Sequence, residues 1–174
     1  MDVLLLDYKK KEAADDFARS IQNTGFALVK NHDIEHELID EVFLEWQKFF
    51  TQTETEKRKH LFKRDFEIVQ SGFFPTEISE TAKGFTAKDL KEFYHFYPCT
   101  QDLPSIIGPA TMKLRLSLIE IAKTLLKYLE DFMPHRLKEN LSLPLSEMID
   151  EKYQTLLRIL HYPPLPKNIA QDSV

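Results

Sequence analysis

Six histidines are the residues best suited to hold a metal or to move a proton near neutrality, and their spacing decides whether one backbone element can present two ligands. His32 and His36 stand four apart, a spacing that aims two imidazoles at one ion when both lie on one helix. The apolar periodicity that follows starts a helix at about Glu35 to His36, which leaves His32 in the preceding turn and removes the shared face. His36-Glu37-Leu38-Ile39-Asp40 opens like the zinc-protease motif but carries Asp40 where the second His belongs. A 2-His-1-carboxylate iron site is commonly fed by a His and an acid two residues apart on one strand, pointing the same way at period two, with a distant second His. The residues two places beyond the six histidines are Ile34, Leu38, Phe62, Tyr97, Leu137 and Pro163, so the sequence contains no His-x-Asp or His-x-Glu.

Other chemistries are excluded in the same way. Cys99 is the only cysteine, which rules out an intrachain disulfide and a thiolate cluster and fits a reducing compartment. It follows Pro98 in an aromatic stretch with nothing to activate a thiolate, and reads as a half-buried bystander. Gly25, Gly72, Gly84 and Gly108 are scattered singly, so there is no glycine-rich phosphate loop. Nothing places a base beside a nucleophile, as a metal-free hydrolase would need. The net charge of -5 argues against a nucleic-acid surface. The basic stretch Lys57-Arg58-Lys59-His60 with Lys63-Arg64 is preceded by Glu54 and Glu56 and reads as a solvated face.

The elements that must position any site follow from periodicity. With 174 residues, 43% of them hydrophobic and 29% charged, the chain is expected to form one domain, 1–174, around one core. No apolar run approaches the roughly 18 residues of a membrane span. Val3-Leu4-Leu5-Leu6 ahead of Asp7 and Lys9-Lys10-Lys11 is too short and in the wrong order for a secretory signal, so a cytoplasmic location is expected. Val3 to Leu6 reads as a strand, and Glu12 to Thr24 as a helix with Ala14, Phe17, Ala18 and Ile21 on one face and Gly25 as its cap. Phe26-Ala27-Leu28-Val29 reads as a buried strand. The next helix carries Leu38, Ile39, Val42, Phe43, Trp46, Phe49 and Phe50 as a core stripe, with Glu37, Asp40, Glu41, Glu45 and Lys48 opposite. From Thr51 to about Pro104 the pattern predicts loops carrying short strands. Gly108-Pro109 starts a long helix to about Met133, with Leu118, Ala122, Leu125, Leu129 and Phe132 at helical intervals. After Pro144 a short helical turn leads to a strand over 154–162, ended by Pro163-Pro164-Leu165-Pro166. A lone strand rarely completes a sheet, so more sheet is expected to follow it.

Four stretches together resemble the isopenicillin-N-synthase-like iron(II)/2-oxoglutarate-dependent oxygenases. Phe17-Ala18-Arg19-Ser20 through Thr24-Gly25-Phe26 to Asn31-His32-Asp33-Ile34 is similar to that family's opening helix, "GF" strand and "NHGI" turn, with Asp33 in place of the usual Gly and expected to take its left-handed turn geometry, which Asp accepts better than most residues. Ser71-Gly72-Phe73-Phe74-Pro75 resembles its "GYFP" segment, Asp89-Leu90-Lys91-Glu92-Phe93-Tyr94-His95 its "DLKEFWH" stretch, and Leu157-Arg158-Ile159-Leu160-His161-Tyr162-Pro163-Pro164 its "LRxxHYPP" strand. The resemblance implies an α+β fold in which N-terminal helices pack on the first strands of a double-stranded β-helix, or jelly roll, here incomplete. It implies an enzyme that uses Fe(II) and 2-oxoglutarate to hydroxylate or desaturate a small molecule. The family's His-x-Asp pair, later His and Arg-x-Ser lie beyond the "YPP" strand, so the chain is expected to be an N-terminal portion with no metal ligands and no catalytic residue of its own.

One cosubstrate contact carries over. The Tyr of the "YPP" motif hydrogen-bonds the distal carboxylate of 2-oxoglutarate in several members, and Tyr162 corresponds to it. A phenol adds a directional bond without adding charge. The alternative is a strand-ending Tyr with its hydroxyl in solvent. Leu160 replaces the Asn of plant members, and Arg158, four before Tyr162, should share its face and reach a substrate anion. The loops around Phe73, Phe93 and Tyr97 are expected to line the substrate side. The rival to an enzyme portion is a non-catalytic remnant or interaction module, self-associating or pairing with a partner through an unfinished sheet edge.

Overall fold

The computed structural model describes residues 3–63, 70–78, 89–98, 103–149 and 155–164. The predicted Cys99 bystander lies outside them. The chain divides into two compact units, Met1–Asp40 with Ala110–Glu151, and Glu41–Pro109 with Lys152–Val174.

In the first unit, strands β1 (Leu5–Asp7) and β2 (Leu28–Lys30) pair in parallel, with helix α1 (Ala13–Thr24) between them in sequence. Gly25 ends α1 in the left-handed conformation, φ 77°, as expected of a glycine cap. Ser20 on α1 ties the sheet to the helix: its hydroxyl donates to the Phe26 carbonyl at 2.7 Å and accepts from the Leu4 amide at 3.3 Å. Leu6, Ala13 and Phe17 form the core, joined by Leu125, Tyr128 and Leu129 of the long helix α4 (Ala110–Phe132). The stripe predicted for α4 is only partly buried, because Leu118 and Phe132 are exposed while Thr111, Arg115 and Ile119 are buried. A short helix α5 (His135–Lys138) and a 3-10 turn (Leu145–Met148) complete the unit.

Two expectations fail here. The strand over 26–29 is not buried, since Phe26 and Leu28 are 70% and 57% exposed: a two-stranded sheet covered on one face leaves alternate residues in solvent. The left-handed residue of the Asn31-His32-Asp33-Ile34 turn is Asn31, φ 58°, not Asp33. Asn31 is held there by its side-chain amide donating to Asp7 at 2.8 Å. His32 sits in the turn before helix α2 (His36–Phe50), as the periodicity predicts.

The second unit contains most of α2, a short helix α3 (Glu54–Arg58), and an antiparallel sheet ordered β3 (Gly72–Phe74), β4 (Glu92–Phe96), β5 (Leu157–His161). Trp46 and Phe49 of α2 cover one face of that sheet, packing edge-on or tilted against Tyr94 at 5.0 and 5.6 Å and, from Phe49, against Phe73 at 5.7 Å. Such aromatic geometry adds to the burial of large apolar area. The α2 stripe is narrower than predicted: Phe43 is 72% exposed, and Glu45, assigned to the polar side, is buried. Its carboxylate packs against Gly108, where an added Cβ would come within 2.5 Å of Oε1. β4 is the central strand and is buried along its length, so Phe73 and Phe93 stand on strands rather than on loops.

Candidate functional site

The two faces of the β3–β4–β5 sheet hold different chemistry because side chains alternate along each strand. On the face toward α2, Glu92 at the start of β4 lies opposite His161 at the end of β5. Glu92 accepts from Lys57 Nζ at 2.6 Å through one oxygen, and its other oxygen lies 2.8 Å from His161 Nδ1. Lys57 also pairs with Glu54 at 3.1 Å, and its ammonium stands over the Phe73 ring. His161 stacks on Phe50, with centroids 5.0 Å apart. Lys57 and Glu92 are both buried, which corrects the solvated-face reading for Lys57. The amphipathic turn of α3 sends Arg58 and Lys59 outward and Lys57 into the unit, so basic neighbours in sequence do not share a surface.

On the other face, Phe74, Phe93 and Leu160 are in register, as are Gly72, His95 and Arg158. Phe62, Phe74 and Phe93 form a parallel stack, with centroids 4.2 and 4.6 Å apart. Arg158 lays its guanidinium over Phe93, 5.1 Å from the centroid, and donates from Nε to His95 Nε2 at 2.8 Å. Exposure alternates along β5 and into the residue after it, with Arg158, Leu160 and Tyr162 exposed and Leu157, Ile159 and His161 half-buried. Among the described residues the Tyr162 hydroxyl and the two Nη groups of Arg158 have no hydrogen-bond partner. One side of β5 therefore offers the outer edge of a guanidinium near the start of the strand and a phenol donor just past its end, each a group suited to carboxylate oxygens.

Tyr162 also borders a cleft of about 450 Å³ between α2 and β5, lined by Phe43, Trp46, Phe50, Ile159 and Leu160. Phe93, which was expected to line the substrate side, is 3% exposed and serves as the platform for Arg158. Tyr97 lies just beyond β4, half-buried, with its ring 6.5 Å from that of His95. Among the described residues no group of three His, Cys, Asp or Glu side chains comes together to hold a metal ion.

Residues 2–113 match the family model described as the N-terminal region of non-haem dioxygenases in morphine synthesis. The chain belongs to the non-haem dioxygenases. No curated protein matches it. Among solved structures, it is 38% identical to a protein from Shewanella oneidensis assigned to the oxygenases, with a TM-score of 0.80 over 98% of this chain and 59% of the other. A Caulobacter crescentus protein assigned to the 2OG-Fe(II) oxygenase family shares the fold at 23% identity, with a TM-score of 0.61. So does a Neurospora crassa protein, solved at full length in complex with alpha-KG and thymine, at 17% identity and a TM-score of 0.60. The chain spans 55% to 59% of the lengths of these three proteins.

The resemblance read from four motifs thus stands at the level of the non-haem dioxygenase family, through its N-terminal region. Three of the motif stretches also form the second unit's sheet: Gly72 to Phe74 is β3, Glu92 to Phe96 is β4 and Leu157 to His161 is β5. Sequence reasoning missed the two polar clusters, Lys57 with Glu92 and His161, and His95 with Arg158. Their contacting pairs are 35 to 69 residues apart. No local spacing reveals them: Glu92 with His161 and His95 with Arg158 follow from the pairing register of β4 with β5, and Lys57 joins from α3.

Proposed function

We propose that this chain is the N-terminal portion of an iron(II)/2-oxoglutarate-dependent oxygenase acting on a small molecule in the cytoplasm. Its second unit then supplies the helical backing and the first strands of a jelly roll. Support comes chiefly from the exposed side of β5, the strand that carries the family's "YPP" motif, where the Arg158 Nη groups near its start and the Tyr162 hydroxyl just past its end are donors without a partner among the described residues. When bound, Fe(II) and 2-oxoglutarate supply the activation of O2. The described residues of this chain bring no metal-ligand set to that task, and their part is to bind and orient. Tyr162 donates to the distal carboxylate of 2-oxoglutarate, and Arg158 takes an anionic group of the substrate. Phe93 holds the guanidinium flat, and Tyr97 borders the substrate side. In the intact protein carrying this chain, Tyr162→Phe should raise KM for 2-oxoglutarate about tenfold, the loss typical of one hydrogen bond to a charged group. Succinate formation measures it, and an unchanged KM removes Tyr162 from the cosubstrate site.

A second reading is favoured by one observation: β5 pairs only with β4 among the described residues, leaving its other edge beside the exposed Leu160 and Tyr162. An interaction module would use that edge to add a strand from a partner or from a second copy. Sedimentation of the chain across concentration tests the second-copy form of this reading, which predicts discrete dimers.

A further inference from the structure

We infer that His95 is a positioning residue that fixes the direction of the Arg158 guanidinium, through a single imidazole tautomer. The hydrogen bonds on its two ring nitrogens define the tautomer. Nδ1 lies 3.1 Å from the carbonyl oxygen of Gln70, which only accepts, so Nδ1 carries the proton. Nε2 lies 2.8 Å from Arg158 Nε, which only donates, so Nε2 presents its lone pair. His95 is therefore neutral in this arrangement and acts as a relay between the backbone ahead of β3 and the side chain of β5.

The surroundings hold the ring in place. His95 is 8% exposed, lies in register with Gly72 on one side and Arg158 on the other, and packs against Phe74 at 4.6 Å and Phe93 at 4.9 Å. With Nε bound to His95 and the plane resting on Phe93, the guanidinium keeps only its Nη edge for a ligand. That edge binds a carboxylate end-on through two parallel hydrogen bonds. An arginine whose Nε edge is already occupied loses less rotamer freedom on binding, and this is the advantage that His95 confers. The role for Arg158 rests on the proposed function, whereas the tautomer and the grip of His95 on Arg158 do not.

The test uses the full ¹⁵N-labelled chain. Long-range ¹H–¹⁵N correlations of the imidazoles, with the His95 signals identified by their loss in His95→Gln, report which nitrogen carries the proton. Solvent exchange of the Arg158 Nε–H reports the contact. The expected result is a protonated Nδ1 and a bare Nε2 at neutral pH, with Arg158 Nε–H exchanging at least about tenfold more slowly than that of exposed Arg136. His95→Phe should abolish the protection, and His95→Gln, whose amide oxygen can still accept, should keep part of it. A proton on Nε2, or equal exchange in wild type and His95→Phe, overturns the inference. If His95→Phe fails to fold, the wild-type tautomer and the Gln variant still decide it. Benzoate is the carboxylate probe: a roughly tenfold weaker affinity in His95→Phe, with Arg158 intact, supports the positioning role. Absence of benzoate binding to wild type, with the tautomer and exchange as expected, rejects Arg158 as an anion receptor and leaves His95 as its anchor.

Discussion

Replacing Lys57 by Met removes the cation from a buried cluster and leaves the Glu92 carboxylate, whose side chain is 6% exposed, without its main counter-charge. At the observed 2.6 Å the attraction is about 6 kcal/mol for an effective dielectric constant of 20, and it offsets a desolvation cost of several kcal/mol per ion. The pair thus contributes little net stability, but removing one partner exposes the whole cost borne by the other, typically about 3–5 kcal/mol. His161 stays 2.8 Å from the second Glu92 oxygen and offers it a remaining donor, which puts Lys57→Met at the lower end, about 3 kcal/mol. Lys57→Met with Glu92→Met removes both charges and should return to within about 1 kcal/mol of wild type. Urea unfolding followed by the fluorescence of Trp46, the only tryptophan and 3% exposed, measures all three proteins. A loss below about 1 kcal/mol for Lys57→Met, or a double variant no better than the single one, would refute the buried-pair account.

Other consequences are open to measurement. Gly72→Ala places a Cβ 2.7 Å from Phe62 Cα and 2.8 Å from the His60 carbonyl, at φ 121° where side chains are strained, and should cost at least about 2 kcal/mol in the same urea assay. Burial, with Tyr8 nearby, raises the Tyr128 phenol above its ordinary 10.0. The folded state thus favours the protonated phenol, so this contribution to stability is complete below pH 10 and is lost as pH rises through the folded-state value. Absorbance titration should show a tyrosine ionising above pH 10 that disappears in Tyr128→Phe.

Local signals carried much of the fold. The Gly25 cap, the spacing of Leu38, Val42, Trp46 and Phe49, and the prolines flanking α4 and β5 each act within a few residues, and each element stands where its pattern places it. Burial was less legible, because which face a strand or helix hides depends on what packs there. Phe26, Phe43 and Leu118 look like core in any local window and are exposed, while Glu45 and Lys57 look like surface and are buried. The site divides in the same way. That Arg158 and Tyr162 share one exposed side of β5 was legible from its period of two, but what His95 and Glu92 face on β5 follows only from the register of β4 on β5. The aromatic run Phe93 to Tyr97 gives no cue to that register.

The central proposal is that this chain belongs to an iron(II)/2-oxoglutarate oxygenase whose metal ligands are not among its residues, while it contributes carboxylate donors from β5. Anaerobic calorimetry of this polypeptide, titrated with 2-oxoglutarate in the presence and absence of Fe(II), tests it most directly. No iron-dependent binding is expected, with any weak 2-oxoglutarate signal unchanged by the metal and reduced in Tyr162→Phe. Tight, stoichiometric, iron-dependent binding by the chain alone would contradict it.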